Sequence, residues 1–276
     1  MTSKNRLFLN FPTELQPFYS ALSATIQDYL QIKITPNSTN WWQSKFGGLP
    51  YFPKNLTYPT NNKGQYLRLL AQLNFAEIPN LNNFPTQGIL QFYVDNNDEI
   101  YGLDFDDPIE QKGFRVLYFY EVDNNLDNLL TTFDFLPNFE EDYYFPVRGE
   151  FSLEFNFAQA TISPLDVNIS QKIPQLNPLD NLSLWILYAK FYEDNFPSVK
   201  QHQLGGYPYF TQSDPRSEIF QEENDPYQLL LQIDSEYFEP NQEICWGDVG
   251  IANFFIQPSS LKNLDFSKVL YNWDCS

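Results

Sequence analysis

Histidine and cysteine are nearly missing from this chain of 276 residues, which carries one histidine, His202, and two cysteines, Cys245 and Cys275. Three such ligands cannot complete an ordinary structural zinc tetrad without Asp or Glu, so a zinc scaffold is excluded as the organising principle. Two cysteines do not make a disulfide framework either. Basic residues are scarce as well: Lys and Arg total 16 against 35 Asp and Glu, a net charge of −19. A nucleic-acid backbone or an anionic membrane surface is repelled by that field, and no segment gathers enough Lys and Arg to reverse it. No stretch approaches 18 consecutive apolar residues, so no membrane-spanning helix is expected. The opening MTSKNRLFLNFPTELQPF lacks the long apolar core of a signal peptide. The expectation is a cytoplasmic protein with free thiols. Also absent are GxGxxG, GKS or GKT, and GxSxG, so neither a standard phosphate loop nor a nucleophile elbow is present.

What remains is aromatic and segmented. Aromatics make up 18% of the chain and hydrophobic residues 42%, enough to bury a large core. Twenty prolines divide it into short elements and exclude long helical bundles. The acidic excess keeps such a protein soluble; it also suits a basic protein partner or a divalent cation.

The chain repeats itself. KFGGLPYFP (45–53) is echoed by QLGGYPYFT (203–211), LLAQL (69–73) by LLLQI (229–233), GILQFYV (88–94) by GIANFFI (250–256), and RVLY (115–118) by KVLY (268–271). The echoes keep one order and lie 158, 160, 162 and 153 positions apart. Two copies of one unit, about 41–125 and 200–276, are the simplest source, joined by a strand and helix region over 126–199. A repeat near 160 residues is far longer than a solenoid unit.

Three-to-four spacing of Leu15, Phe18, Leu22, Ile26, Tyr29 and Leu30 predicts a helix over about 13–34. Strands are predicted at 67–74, from Gly88, and at 114–122. EFSLEFNF (150–157) alternates cleanly and predicts a half-buried strand, and 178–193 predicts a second helix. The expected fold is α+β with few helices: two sheet-centred halves about a pseudo-twofold, packed as a single compact domain over 1–276 and monomeric.

Candidate site residues follow from the repeat. Gly47-Gly48 and Gly205-Gly206 are either structural turns or turns opened toward a ligand, because glycine permits positive φ and close approach. Gln72 and Gln232 stand at equivalent places in apolar strands; a buried amide needs partners, so they bridge strands or meet a ligand, with the same geometry in both halves. His202 begins HQLGGYPYFTQSDPR, with Asp214 and Arg216 following. It is either a structural histidine or a base in a small-ligand or hydrolytic site, and the first copy has Ser44 in its place. Arg216 is suited to pair with Asp214 or another carboxylate. In the acidic run 95–107, Asp95, Asp98, Asp104 and Asp106 offer hard oxygen ligands for calcium without EF-hand spacing, or else make a solvated turn. A strand through Asp104–Asp106 would set two carboxylates on one face. Trp41, Trp42, Tyr51, Phe52, Tyr207, Tyr209 and Phe210 line grooves or fill core.

GGLPYFP, LLAQLNFAEIP, GILQFYVD and FRVLY, with HQLGGYPYFTQSDPR and WGDVGIANFFI, resemble the YwqG-like family of bacterial proteins of unknown function, domain of unknown function 1963. The resemblance covers about 40–276. It implies a mixed α/β architecture and a bacterial, cytoplasmic setting, and it brings no catalytic residues and no cofactor. Similarity to proteins of toxin–immunity neighbourhoods implies protein binding. The expected function is a non-enzymatic interaction or immunity-type module. The alternatives are a hydrolase or small-ligand enzyme built on the His202 loop, and a calcium-binding protein.

Overall fold

A computed structural model describes residues 10–136, 145–219 and 224–275. The chain begins with a 3-10 turn at Thr13–Phe18 and a short helix α1 (Tyr19–Ala24), then enters strand β1 (Gln27–Pro36). The helix expected over 13–34 therefore ends ten residues early. Leu30, Ile32 and Ile34 alternate with Gln31, Lys33 and Thr35, and β1 pairs residue for residue with ten positions of a later strand. That ladder, and the β-branched residues in it, override the helical spacing, which is real only through Leu22.

The first wing of the sheet is β2 (Lys45–Gly47), β3 (Arg68–Asn74), β4 (Ile89–Val94) and β5 (Phe114–Phe119). The middle supplies β6 (Val147–Arg148), β7 (Glu150–Ala160), the single turn α2 (Ile169–Lys172) and α3 (Leu182–Asn195). Asn181 starts α3 by accepting from the Leu184 N–H at 3.1 Å. The second wing is β8 (Gln203–Leu204), β9 (Gln228–Asp234), β10 (Glu236–Phe238), β11 (Gln242–Ile244), β12 (Ile251–Ile256), α4 (Pro258–Lys262) and β13 (Leu270–Asp274).

Ten of these strands form one antiparallel sheet in the order β13-β12-β9-β8-β1-β7-β2-β3-β4-β5, and β10-β11-β6 form a small second sheet. With four short α-helices among the described residues, the architecture is sheet-rich α+β. Outward from the central β1–β7 ladder, the strand order reads as the same pattern on both sides. Each wing also has a bulge at the same place: the β3–β4 register skips Leu70, and the β9–β12 register skips Leu230. The echo on the last strand of each wing is displaced. Val116 lies opposite Phe92, whereas Tyr271 lies opposite Phe254, an offset of 155 rather than the 153 of RVLY and KVLY. A slip of two residues returns every side chain to its own face, so the sheet tolerates it.

The sheet curls until its wings meet. Phe92 of β4 packs on Phe254 of β12 with ring centroids 4.8 Å apart, and Phe114 packs on Tyr271 at 5.2 Å. Residues of both wings and of the central strands share this principal cluster. A second cluster lies on the other face, where Tyr188, Phe191 and Tyr192 of α3 cover Tyr29 and Ala160.

Candidate functional site

The two Gly-Gly turns have the same backbone form, with φ of 67° and 67° at Gly47 and Gly48 and 71° and 77° at Gly205 and Gly206. Each is followed by a tyrosine whose main chain is held by buried amides. Gln72 Oε1 accepts from the Tyr51 N–H at 2.8 Å, and its Nε2 donates to the Trp41 and Gln43 carbonyls, both at 2.8 Å. Gln232 Oε1 accepts from the Tyr209 N–H at 2.8 Å, and its Nε2 donates to the Val199 and Gln201 carbonyls at 2.8 and 2.6 Å. All three partners stand 158 residues from their counterparts. The tyrosine carbonyls are capped likewise, by Gln91 Nε2 at 2.7 Å and Asn253 Nδ2 at 3.0 Å. Lys45 Nζ donates to the Leu49 carbonyl at 3.1 Å and Gln203 Nε2 to that of Tyr207 at 2.6 Å. Burial lowers the Lys45 ammonium pKa, and Glu150 opposes that shift at 3.3 Å.

These amides thus spend their hydrogen bonds on their own chain. His202 does the same: the Asp234 N–H donates to its Nδ1 at 3.0 Å, and Nε2 lies 3.2 Å from Glu236 Oε2. The accepting Nδ1 places the proton on Nε2. The ring is 1% exposed and packs against Phe46. Ser44 performs the matching task in the first wing, where its Oγ accepts from the Asn74 N–H at 2.9 Å.

Arg216 is sealed in the interior. Its Nε donates to Asp214 Oδ1 at 2.9 Å, Nη2 to Asp214 Oδ2 at 2.6 Å and Asp166 Oδ2 at 2.9 Å, and Nη1 to the Tyr227 carbonyl at 2.9 Å. The guanidinium stands 5.0 Å from the Phe255 ring. Burial works against the charge, but Asp166 and Asp214 outweigh it, and the pKa of Arg216 is raised. The group joins three chain segments.

The acidic run forms turns, with no strand through Asp104–Asp106. Asp95 accepts from Asn61 Nδ2 and Asn97 Nδ2, both at 2.6 Å. Asp98 accepts from the Gly102 N–H at 3.1 Å, Asp104 from the N–H groups of Asp106 and Asp107, and Asp106 is exposed. Among the described residues no three His, Cys, Asp or Glu side chains gather as a metal site. Tyr51, Phe52, Tyr207 and Phe210 are buried in core and do not line grooves.

The two turns differ in what lies over them. Residues Val147 to Glu150 lie against the first: a Cβ on Gly47 would come within 2.4 Å of the Gly149 carbonyl oxygen, and one on Gly48 within 2.7 Å of the Glu150 carboxyl carbon. At the second, Tyr29 of β1 lies against Gly206 as Glu150 lies against Gly48, but no backbone closes over Gly205 as the Gly149 carbonyl closes over Gly47, and Gly205 and Gly206 border a cleft of about 840 Å³. Tyr19 and Ser23 of α1, Asp28 of β1, Phe84, and Gln228 of β9 contribute to its walls. Asp28 carries the sole charge among the described lining residues and accepts from Gln159 Nε2 at 2.7 Å. A Cβ on Gly205 would meet Phe84 at 3.2 Å, and one on Gly206 would meet Tyr29 Cβ at 2.7 Å.

The glycines of this cleft are legible in the repeat, whereas Tyr19, Asp28, Phe84 and Gln159 are not. Tyr19 and Asp28 fell inside the supposed long helix; the alternation of Leu30, Ile32 and Ile34 was the available signal that a strand begins there. Nothing local marks Phe84 or Gln159; Gln159 reaches the cleft because β7 pairs it with Asp28 of β1.

No helix among the described residues is long and apolar enough to cross a membrane. No curated protein matches the chain. The family model described as "Domain of unknown function (DUF1963)" matches residues 44–275, from the serine before the first Gly-Gly strand to the cysteine after β13, and the chain belongs to that family.

Proposed function

We propose that this protein is a non-catalytic binding module and that the cleft beside Gly205–Gly206 receives a segment of a basic polypeptide. The observation that carries this reading is the asymmetry of the two turns: the Gly149 backbone closes over Gly47, whereas Gly205 meets only side chains and borders, with Gly206, about 840 Å³ of space. The walls combine the Asp28 carboxylate with side-chain amides and with Tyr19 and Phe84. A carboxylate takes a lysine or arginine head group, amides take main-chain groups, and aromatic rings take the aliphatic stem. The net charge of −19 draws such a partner in and raises its association rate. Neutralisation of a basic protein, as an immunity-type module would achieve, is a narrower form of the same reading, and a cytoplasmic setting accords with two free thiols.

A hydrolytic role for the His202 loop has less support, because both ring nitrogens are engaged with the chain's own groups. Calcium binding likewise lacks a converging set of carboxylates among the described residues. The matched amide clamps, bulges and strand order support a second proposal, that the chain descends from an internal duplication about a pseudo-twofold between β1 and β7. In that history one turn became covered and the other stayed open, within one folded unit.

The test is titration of the full chain with a lysine- and arginine-rich peptide at low salt, followed by calorimetry or fluorescence anisotropy. Saturable binding that Asp28→Asn weakens by about tenfold, with circular dichroism unchanged, is the expected result. Absence of saturation, or equal binding by the Asp28→Asn protein, would overturn the reading.

A further inference from the structure

Strand β8, which leads into the second Gly-Gly turn, is two residues long, and both of its neighbours outrun it. Leu204 is its last paired residue, opposite Leu30 of β1 and Leu231 of β9. One more bond follows, from the Gly205 N–H to the Leu230 carbonyl at 3.2 Å, and positive φ at Gly205 and Gly206 then takes the chain out of line. The neighbours extend to Gln27 and to Gln228, each held on its far edge. Gln27 and Asp28 pair with Ala160 and Gln159 of β7, and Gln228 and Leu229 pair with Ile256 and Phe255 of β12. Among the described residues no strand continues β8 between them. Because β1 and β9 both border β8, the gap beyond it is two ladder spacings across, about 10 Å, which one further strand fills. The cleft lies there: Gln27, Asp28, Gln228 and Leu229 stand in its wall with both glycines. It is flanked on both faces of the sheet, by Leu81 and Phe84 on the side of the principal cluster and by α1 on the side of the second. Gln228 brings an unspent donor, since its Nε2 is buried and has no hydrogen-bond partner among the described residues. The first wing has no such gap, because β7 begins at Glu150, opposite Gly47.

We propose that an extended segment of the basic partner enters this gap as a strand in line with β8, so that main-chain pairing inside the sheet holds it. This rests on the binding reading above and adds the form in which the partner is bound. Running as β8 runs, the segment is antiparallel to both β1 and β9, the geometry β8 already has with them. Its successive N–H groups turn alternately toward β1 and toward β9, and its side chains alternately toward Phe84 and toward α1. The Gln228 amide donates to one of its main-chain carbonyls. A lysine or arginine on the face of Asp28 lies beside that carboxylate, which Gln159 Nε2 orients at 2.7 Å. Recognition of this kind tolerates varied sequence around the basic residue and rejects proline, which lacks the N–H.

The experiment titrates the full chain at low salt with a lysine- and arginine-rich peptide and with the same peptide N-methylated at every second residue. The methylated peptide keeps all of its charge and one complete row of main-chain donors. A segment lying along a single strand edge needs only that row, whereas a segment between two strands uses both. Methylation should therefore weaken binding by about tenfold or more. Hydrogen exchange read by mass spectrometry should show amides slowed over both 26–29 and 228–230 when the unmodified peptide is bound. Equal binding by the methylated peptide, or exchange unchanged over either stretch, would overturn the insertion and leave the binding reading standing on its Asp28→Asn result. Absence of saturable binding by the unmodified peptide would overturn both.

Discussion

Phe92 on β4 and Phe254 on β12 meet across the interior at 4.8 Å, each lying beside the bulge of its own wing. They occupy corresponding places in the two echoed strands, so the point where the wings close is a contact between equivalents. The rings meet within a core cluster to which both wings also contribute Leu, Ile and Val side chains.

Truncation of either ring should therefore be costly. Phe92→Ala and Phe254→Ala are each expected to lose about 3–5 kcal/mol of unfolding free energy, read from urea denaturation. The double substitution should cost less than the sum, because the first truncation already opens the shared contact. Strict additivity would show that the rings do not depend on one another.

The amide clamps make a paired prediction. Gln72→Ala and Gln232→Ala each strand one N–H and two carbonyls in the interior, which costs about 2 kcal/mol or more. Gln72→Ala should cost at least as much as Gln232→Ala, since Gln72 Oε1 also accepts from Gln91 Nε2 at 2.7 Å. Glutamate at either position should also destabilise near neutral pH, because a carboxylate can accept from the tyrosine N–H but cannot donate to the carbonyls. Chemical denaturation of the four variants checks this.

Arg216→Met should destabilise by about 3–5 kcal/mol, because it leaves Asp166 and Asp214 buried beside each other with no cation. Restoring charge with Arg216→Lys should recover only part of the loss, since an ammonium lacks the fork that reaches both carboxylates and the Tyr227 carbonyl. A full rescue by lysine would contradict the geometry.

Burial pushes the Asp234 pKa up to about 6 from the ordinary aspartate value of 3.8, with His202 acting in the opposite direction. Between those two values the folded state binds more protons than the unfolded state, so the Asp234 contribution favours folding at low pH and is lost as pH rises through about 6. Asp234→Asn should flatten that part of the stability profile and raise stability at pH 7 relative to the native chain. Thermal melts from pH 4 to 8 on both proteins provide the comparison; parallel profiles would refute the assignment.

Much of this arrangement is written in local sequence. The glycine pairs, the LLxQ strands and the alternating EFSLEFNF segment carry their conformations in their own residue types, through positive φ, apolar bulk and two-residue periodicity. Leu15 to Leu30 shows the opposite case. Its spacing suits a helix, but β7 offers ten partners to the residues from Gln27, and the ladder prevails. Arg216 was legible as a partner of Asp214; that Asp166 would join it, from 50 residues upstream, depends on the closure of the sheet.

The repeated segments by themselves determined the two wings, the paired bends and the amide at each strand centre, because short-range sterics and the cost of burying an unpaired polar group act wherever those residues occur. Only the tertiary structure decided which bend would be covered and which would face open space. That outcome depends on whether the strand beside it begins with Val147 to Glu150 or with Ile26 to Tyr29. It also depends on where Phe84 arrives and on the β1–β7 register that sets Gln159 opposite Asp28, and no local propensity encodes either.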